Sequence, residues 1–453
     1  MKIKTIIIGV VVIGAALIPV FSQEEGVTDW YFLRTAFPHH INLTWEHASD
    51  RSQSVSWRTD STHPESLLQY CEAVSTPFFN DSVRLIKAES QRHESDDGTW
   101  FHHSAIAGNL KPETTYSYRV GHEGFWSEWS EFRTAPGGNQ PFSFLYFGDV
   151  QRNIRSLGSR IIRQGVLECP DAGFMLFGGD LVHRGALNSR NWNEFFEAGG
   201  WIFRNLPLIA TPGNHELDRD KPGSSLADNW FLNFAFPRNG PEGHEEETFY
   251  VDYNNVRIIS LNLLKHRYTE DMNKMLQWLE DRLQEFSGDW VIVVHHFPMI
   301  LCKARIEKPE IRFPEIKALY EKYSVPIVLT GHAHLYARGR IDGKFPVYVI
   351  SVAGPYQNAI YFDDWIERAG TSIQLFQEIH VTPDTLHYTS KTILGETYDE
   401  FIITKDNTGR FEFNQNTGLM PEYLVPPEDF ENRYDEEIVR IYRAERDKYL
   451  KRK

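Results

Sequence analysis

Two kinds of hydrophobic patterning divide the chain. Between an apolar N-terminal run and about Thr134, apolar and polar residues alternate over short stretches, as in Ile41-Asn42-Leu43-Thr44-Trp45, Ser54-Val55-Ser56-Trp57 and Tyr116-Ser117-Tyr118-Arg119-Val120. A period of two puts every second side chain on one face, so these stretches predict strands, with turns such as Asp96-Asp97-Gly98 between them. Roughly 110 residues of this kind predict a β-sandwich. Pro136-Gly137-Gly138-Asn139-Gln140-Pro141 reads as a linker. Beyond it, continuous apolar runs alternate with helical stretches. One helix is predicted over Asp271–Phe286, where Met272, Met275, Leu276, Leu279 and Leu283 recur at helical spacing. Fully apolar strands alternating with helices indicate an α/β domain. From about Ile373 short strand-like runs return, and the charged segment Glu436–Lys453 predicts a closing helix, amphipathic or solvated.

Length and composition sharpen this outline. A chain of 453 residues exceeds one ordinary core, and aromatics at 14% run throughout, which implies packed structure in two domains. The formal net charge of −15 argues against nucleic acid or anionic lipid bound through a basic face. Such a protein still handles phosphate where metal ions supply the local positive charge. Lys2 and Lys4 precede the apolar run Ile6–Phe21, and Val20 and Ser22 suit the −3 and −1 positions of a cleavage site before Gln23. This predicts an export signal and a secreted or periplasmic protein with no stable membrane partner after cleavage. If uncleaved, the run approaches the length of a membrane anchor. Cys71, Cys169 and Cys302 are odd in number and widely spaced, so no disulfide framework is indicated, and they are expected in the core.

Candidate chemistry lies in five loops, each behind an apolar run. Phe142–Phe147 leads into Gly148-Asp149-Val150-Gln151, and Phe174–Phe177 into Gly178-Gly179-Asp180-Leu181-Val182-His183. Pro207–Ala210 leads into Thr211-Pro212-Gly213-Asn214-His215-Glu216, Val291–Val294 into His295-His296-Phe297-Pro298, and Ile327–Leu329 into Thr330-Gly331-His332-Ala333-His334. Loops at the carboxyl ends of buried strands are where α/β sheets gather ligands, and glycine lets the backbone turn sharply there. Asp, Asn and His together suit two nearby cations of hard to borderline character bridged by a carboxylate. Any one loop alone is an ordinary turn or helix cap; the joint, ordered occurrence carries the argument.

This ordered set resembles the calcineurin-like metallophosphoesterase superfamily from about Phe142 to Arg338. The stretches Asn109–Gly121 and Trp126–Thr134 are similar to the late strands of a fibronectin type III-like module, which precedes the catalytic domain in the purple acid phosphatases. Together with His334-Leu335-Tyr336-Ala337-Arg338, this resembles the purple acid phosphatase branch. The resemblance implies a signal over 1–22, a fibronectin type III-like domain over 23–136, a catalytic domain over 141–405 and a tail with a charged helix over 406–453. The catalytic fold implied is an α/β metallophosphoesterase-like β-sandwich flanked by helices.

By the same resemblance, one metal takes Asp149, Asp180 and His334. The second shares Asp180 and takes Asn214, His296 and His332, with His295 an alternative to His296. His215 faces the substrate as the catalytic residue. Where the purple acid phosphatases carry a metal-binding Tyr, this chain has His183, and where other branches carry a His after the first Asp it has Gln151. Either completes the first metal site, and the metals are correspondingly Fe, Zn or Mn. Arg338 is a candidate for orienting a loop carboxylate. The insert Leu217–Glu247 is expected on the pocket rim. The implied activity is hydrolysis of small phosphate monoesters by attack of a metal-bound hydroxide. A phosphodiesterase or nucleotide-cleaving enzyme of the same superfamily is the alternative. A secreted binding or adhesion protein with a dead site is the reading of another class.

Overall fold

The computed structural model describes residues 35–453 apart from 79–81, 187–188, 222–224 and 266–268. The expected export signal lies outside the described residues, and no helix among them is long and apolar enough to cross a membrane. The alternating segment forms two antiparallel sheets. One runs in the order His39–Thr44, Gln53–Asp60, Gly98–Ala107, Glu89–Ser95; the other runs Arg84–Lys87, Leu67–Glu72, Thr115–His122, Phe125–Trp126, with Ser130–Arg133 also paired to Thr115–His122. Between them pack Leu43, Val55, Trp57, Leu68, Tyr118, Val120 and Phe132.

The polar face of the alternation is buried as well. Gln53–Thr59 is buried at every position, because the first sheet lies against the C-terminal half and the two behave as one compact unit from Thr35 to Lys453. Polar side chains satisfy that contact by bonding backbone across it. Asn42 donates to the Asn233 carbonyl (3.0 Å), and the Thr44 hydroxyl to that of Ala235 (2.9 Å). Arg58 stacks 4.0 Å over Trp100 and bonds Asn193, while His40 stacks 4.4 Å from Phe196 on the helix Ser189–Gly199. His40 and His102 lie buried, and His39 half-buried, around this guanidinium. Burial first, and then the Arg58 charge, hold all three imidazoles well below their ordinary range.

The C-terminal half is built on two seven-stranded mixed sheets. The first runs Leu208–Ala210, Ala172–Phe177, Phe142–Phe147, Leu375–Val381, Thr385–Thr392, Thr397–Lys405, Phe411–Gln415. The second runs Phe249–Tyr253, Val256–Leu261, Trp290–His295, Ile327–Thr330, Val347–Ile350, Tyr336–Gly339, Ile366–Gly370. Phe144, Tyr146, Phe174 and Leu176 of one sheet share a core with Ile258, Ile292, Ile327 and Val349 of the other. Ile161 and Phe195, from the helices Ser159–Glu168 and Ser189–Gly199, belong to that same core, with Phe195 5.7 Å from Phe177. The remaining face of the second sheet packs on Thr269–Glu285, Pro314–Lys322 and Glu436–Lys451.

Three expectations shift in detail. The helix predicted from Asp271 starts at Thr269. The tail expected from residue 406 is integral to the fold: Phe411–Gln415 is the edge strand of the first sheet, and the closing helix buries Val439, Tyr442 and Tyr449. Of the two alternatives for that helix, the amphipathic one is found. Arg338 orients none of the five loops. It is buried between the sheets, donating to Asp399 (2.9 and 2.8 Å), Glu367 (2.7 Å) and Gln415 (3.0 Å), while Tyr336 donates to the same Asp399 (2.6 Å). All three cysteines are buried free thiols.

Two outcomes follow from these buried charges. Asp399→Ala takes the fully buried partner from the Arg338 guanidinium, which Glu367 replaces only in part, and denaturant unfolding should show a loss of about 3–5 kcal/mol, the usual cost of breaking a buried pair. Arg338→Met with Asp399→Leu should recover most of it. The three interface histidines stay neutral when folded but take a proton when unfolded as the pH falls through about 6.5. Their contribution is therefore complete above that pH and is lost below it. Tm should decline on acidification through this range, and His102→Gln should flatten the decline.

Candidate metal centre

The loops converge because their strands are aligned. Phe142–Phe147, Ala172–Phe177 and Leu208–Ala210 are parallel neighbours in the first sheet, and Trp290–His295 and Ile327–Thr330 are parallel neighbours in the second. Their carboxyl ends open on one crevice. Reaching it requires unusual backbone: Asp180, His332 and His334 adopt left-handed φ of 51°, 65° and 54°. Residues with side chains seldom adopt that conformation, and where they do they cluster at functional sites. Glycine makes room where loops touch. A Cβ on Gly213 would stand 2.2 Å from Asp180 Oδ1, and one on Gly331 2.6 Å from Asp149 Oδ2.

Two groups of ligand atoms result, each with its members within 4.8 Å of one another: Asp149, Asp180 and His334, and Asp180, His296 and His332. Asp180 belongs to both. Asn214 lies with the second group, its Oδ1 3.2 Å from His296 Nε2. His296 and His334 each give Nδ1–H to a backbone carbonyl, Gly178 (2.8 Å) and Tyr356 (3.0 Å), which leaves Nε2 free toward the carboxylates. His295 is not part of either group; it points into the other face of the second sheet, stacked 6.3 Å from Tyr320.

Both Asp149 oxygens are buried without a hydrogen-bond partner among the described residues. Such a carboxylate is costly unless a cation meets it. Burial pushes its carboxyl up to about 7, against the pull of His296. Burial would raise Asp180 too, but the His296 charge and hydrogen bond hold it well below the carboxylate range. His296 itself, disfavoured as a cation by burial, is carried up to about 9 by Asp180 and then Asp149. The cluster thus gathers a proton where it lacks other positive charge, and metal cations displace protons from such sites. His334 is pushed down to about 3, by burial and then Lys303, and burial holds His332 far below its ordinary range. Both are neutral donors. The oxygen and imidazole set fits two divalent cations of borderline character.

The two alternatives for the remaining position form a chain. Gln151 Nε2 lies 2.7 Å from Asp180 Oδ2 and 3.1 Å from His334 Nε2, while its Oε1 lies 2.9 Å from His183 Nδ1. Gln151 is therefore inside the cluster and His183 behind it. His183, pushed down to about 4 by burial and then Arg152, stacks 4.7 Å from His215. His215 gives Nδ1–H to the His183 carbonyl (2.5 Å), so its Nε2, 3.9 Å from Asp180 Oδ2, is the atom facing the crevice.

Glu216 has a role that the sequence pattern did not expose. Fully buried, it accepts backbone N–H bonds from Asp180 (3.0 Å), Gly213 (2.7 Å) and Val182 (3.3 Å), pinning the second and third loops together. Its place directly after Asn214-His215 was the available signal. Lys303, whose charge acts on both Asp149 and Asp180, carries no sequence signal.

Comparisons with known proteins agree with this architecture. Residues 38–134 match the purple acid phosphatase N-terminal domain, and residues 142–336 match the calcineurin-like phosphoesterase family. An uncharacterised protein of Mycobacterium tuberculosis is 27% identical over 361 residues, covering 72% of this chain and 66% of that protein. The Fe(3+)-Zn(2+) purple acid phosphatase 12 of Arabidopsis thaliana is 24% identical over 321 residues, covering 66% of this chain and 65% of that one. The aligned part is thus about two thirds of each relative's length. A yellow lupin (Lupinus luteus) purple acid phosphatase superposes with a TM-score of 0.66 at 19% identity, covering 82% of this chain and 75% of the other, and shares the fold. The chain thus carries a purple acid phosphatase N-terminal domain followed by a calcineurin-like phosphoesterase domain, the two-domain order of the purple acid phosphatases it is similar to.

Proposed function

We propose that the protein is an exported phosphoesterase that hydrolyses phosphate monoesters at a pair of metal ions. The observation that carries this reading is the sharing of Asp180 between two ligand groups, beside the orphaned Asp149 carboxylate. Asp149, Asp180, His334 and Gln151 would hold one ion, and Asp180, Asn214, His296 and His332 the other. Gln151 takes the place in the first set because it touches Asp180 and His334 directly, whereas His183 touches only Gln151. The amide oxygen and nitrogen are interchangeable in shape, so Gln151 can turn its carbonyl inward and its NH2 toward neutral His183. Zn, Mn or Fe suits this set, and the Arabidopsis relative carries iron and zinc in its name. Bound there, the ions would polarise the phosphoryl group and lower the pKa of a water.

The chain's own residues supply position and a proton. The backbone N–H of His215 donates to Asp180 Oδ1 (2.9 Å), fixing that residue's place beside the carboxylate. Its ring is held by the His183 carbonyl and the His183 imidazole, which aims Nε2 outward. A proton on Nε2 can pass to the leaving oxygen while Nδ1–H keeps its bond. Asn214, one residue earlier, faces His296 instead. Export is supported by the charged, then apolar, then small-residue order of residues 1–22.

Metal analysis of the purified protein should find about two ions per chain, and chelation should abolish hydrolysis. Gln151→Ala should lower the metal content, and His183→Ala should leave it near normal; the reverse result would exchange the two residues. Full activity in a demetallated sample would refute the site.

His215→Ala should keep its metals while kcat falls by roughly 10²–10⁴, the range for a lost general acid. The loss should be smaller for aryl than for alkyl phosphates, whose leaving groups need the proton more. Asn214→Ala should weaken metal binding instead. A His215→Ala protein that loses a metal, and turns over normally once resupplied, would make His215 a ligand. Activity on monoesters against diesters in the same panel decides the substrate class.

A further inference from the structure

The metal centre accounts for the carboxylates and imidazoles of the five loops but leaves two cations beside it that, among the described residues, form no ion pair. Lys303 lies beyond Pro298 in the fourth loop. Its backbone bridges Ile360, with Ala304 donating to the Ala359 carbonyl and Tyr361 to that of Cys302 (both 2.8 Å). That anchors it to the segment carrying Tyr356, whose carbonyl holds His334 Nδ1. The Lys303 charge acts on Asp149, Asp180, His332 and His334. Yet its ammonium makes no hydrogen bond or ion pair among the described residues.

Arg152 comes from the first loop, next to Gln151. It has φ 69° and is followed by Asn153 at φ 48°, two successive left-handed residues with side chains. This turn lays its guanidinium 4.3 Å over the Tyr356 ring, which itself stands edge-on 5.1 Å from His334. Arg152 is exposed and, among the described residues, has no hydrogen bond or ion pair. The contrast with Arg433 is informative. Arg433 lies 4.9 Å over the same ring but is neutralised by Asp429 (2.6 Å).

Two unpaired cations next to a centre built to hold metal ions repel those ions unless an anion joins them. On a chain of net charge −15, acids to pair with them are plentiful elsewhere, so their isolation is local. The scissile phosphoryl would be met by the metals. A second anion is what Lys303 and Arg152 are placed to receive, through charge-assisted hydrogen bonds.

We infer that Lys303 and Arg152 form an anion subsite beside the metal centre, and that the preferred substrate is a phosphoester bearing a second anionic group, a further phosphoryl or a carboxylate, close to the scissile phosphate. This rests on the phosphoesterase reading above. It is tested on the metal-loaded protein by calorimetric titration with three non-hydrolysable probes: methylphosphonate, methylenediphosphonate and phosphonoacetate. Metal content is measured before and after. The wild type should bind at least one doubly anionic probe roughly 10–100-fold tighter than methylphosphonate, the range for hydrogen bonds to charged groups. Which probe gains tells phosphoryl from carboxylate. Arg152→Gln and Lys303→Met should each remove most of that advantage, with metal content and Tm unchanged or, for Lys303→Met, metal binding tightened by the loss of a like charge.

Doubly anionic probes that bind no tighter than methylphosphonate would overturn the subsite. So would variants that lose metal or thermal stability while keeping the wild-type preference, since that marks a purely structural role. A wild type that takes up no metal and cleaves no phosphoester refutes the phosphoesterase reading instead. In that case titration of the metal-free wild type and variants with the same probes scores the subsite separately.

Discussion

A carboxylate sealed from water must be met by positive charge or hydrogen-bond donors, and Asp180 is met by both. Its Oδ1 takes the His215 backbone N–H, its Oδ2 takes the Gln151 amide, and His296 Nε2 stands 3.3 Å from Oδ2. Its own backbone is committed as well: its N–H goes to Glu216, and its carbonyl receives the N–H groups of Val150 and Gln151. Four of the five loops are therefore tied to one residue, which is held in a left-handed conformation to make these bonds. The position of every other candidate ligand is set relative to it.

That convergence depends on the two sheets lying face to face with their parallel strands ending together. Neither sheet holds the site alone, since Asp149, Asp180 and Asn214 come from one and His296, His332 and His334 from the other. The shared core of Phe and Tyr against Ile and Val fixes the spacing between sheets, and so the spacing of the two ligand groups. The N-terminal sandwich adds to this from outside. It braces the helix Ser189–Gly199 through Arg58 and His40, and Trp192 of that helix donates to the carbonyl of Gly185, two residues past His183.

Where side-chain type and strand ends coincide, the site was legible in the sequence: the five loops announce themselves because each ligand follows an apolar run. Periodicity likewise gave the sandwich and the long helix near their observed bounds. What it could not give depends on reach across space. Gln151 and His183 are both plausible by type, and only their packing order puts the amide inside. His295 and His296 are adjacent, but strand alternation sends one into each face. The alternation over Gln53–Asp60 marks two faces but not what the polar one meets, which is another surface. Arg338 looked like part of the last loop because its true partner, Asp399, is 61 residues away. Lys303 and Arg152 follow no pattern, since what marks them is the lack of an ion-pair partner among the described residues.

The clamp between Arg338 and Asp399 also sets when the protein can be finished during synthesis. The loop bearing His332 and His334 runs directly into Tyr336–Gly339, and that strand carries a guanidinium it cannot bury alone. Its carboxylate, and Gln415 on the edge strand, emerge from the ribosome 61 and 77 residues later. The last imidazoles of the crevice therefore reach their seats only once Asp399 and Gln415 have followed them out. A nascent chain that stops short of Asp399 therefore offers metal ions only a partly assembled crevice.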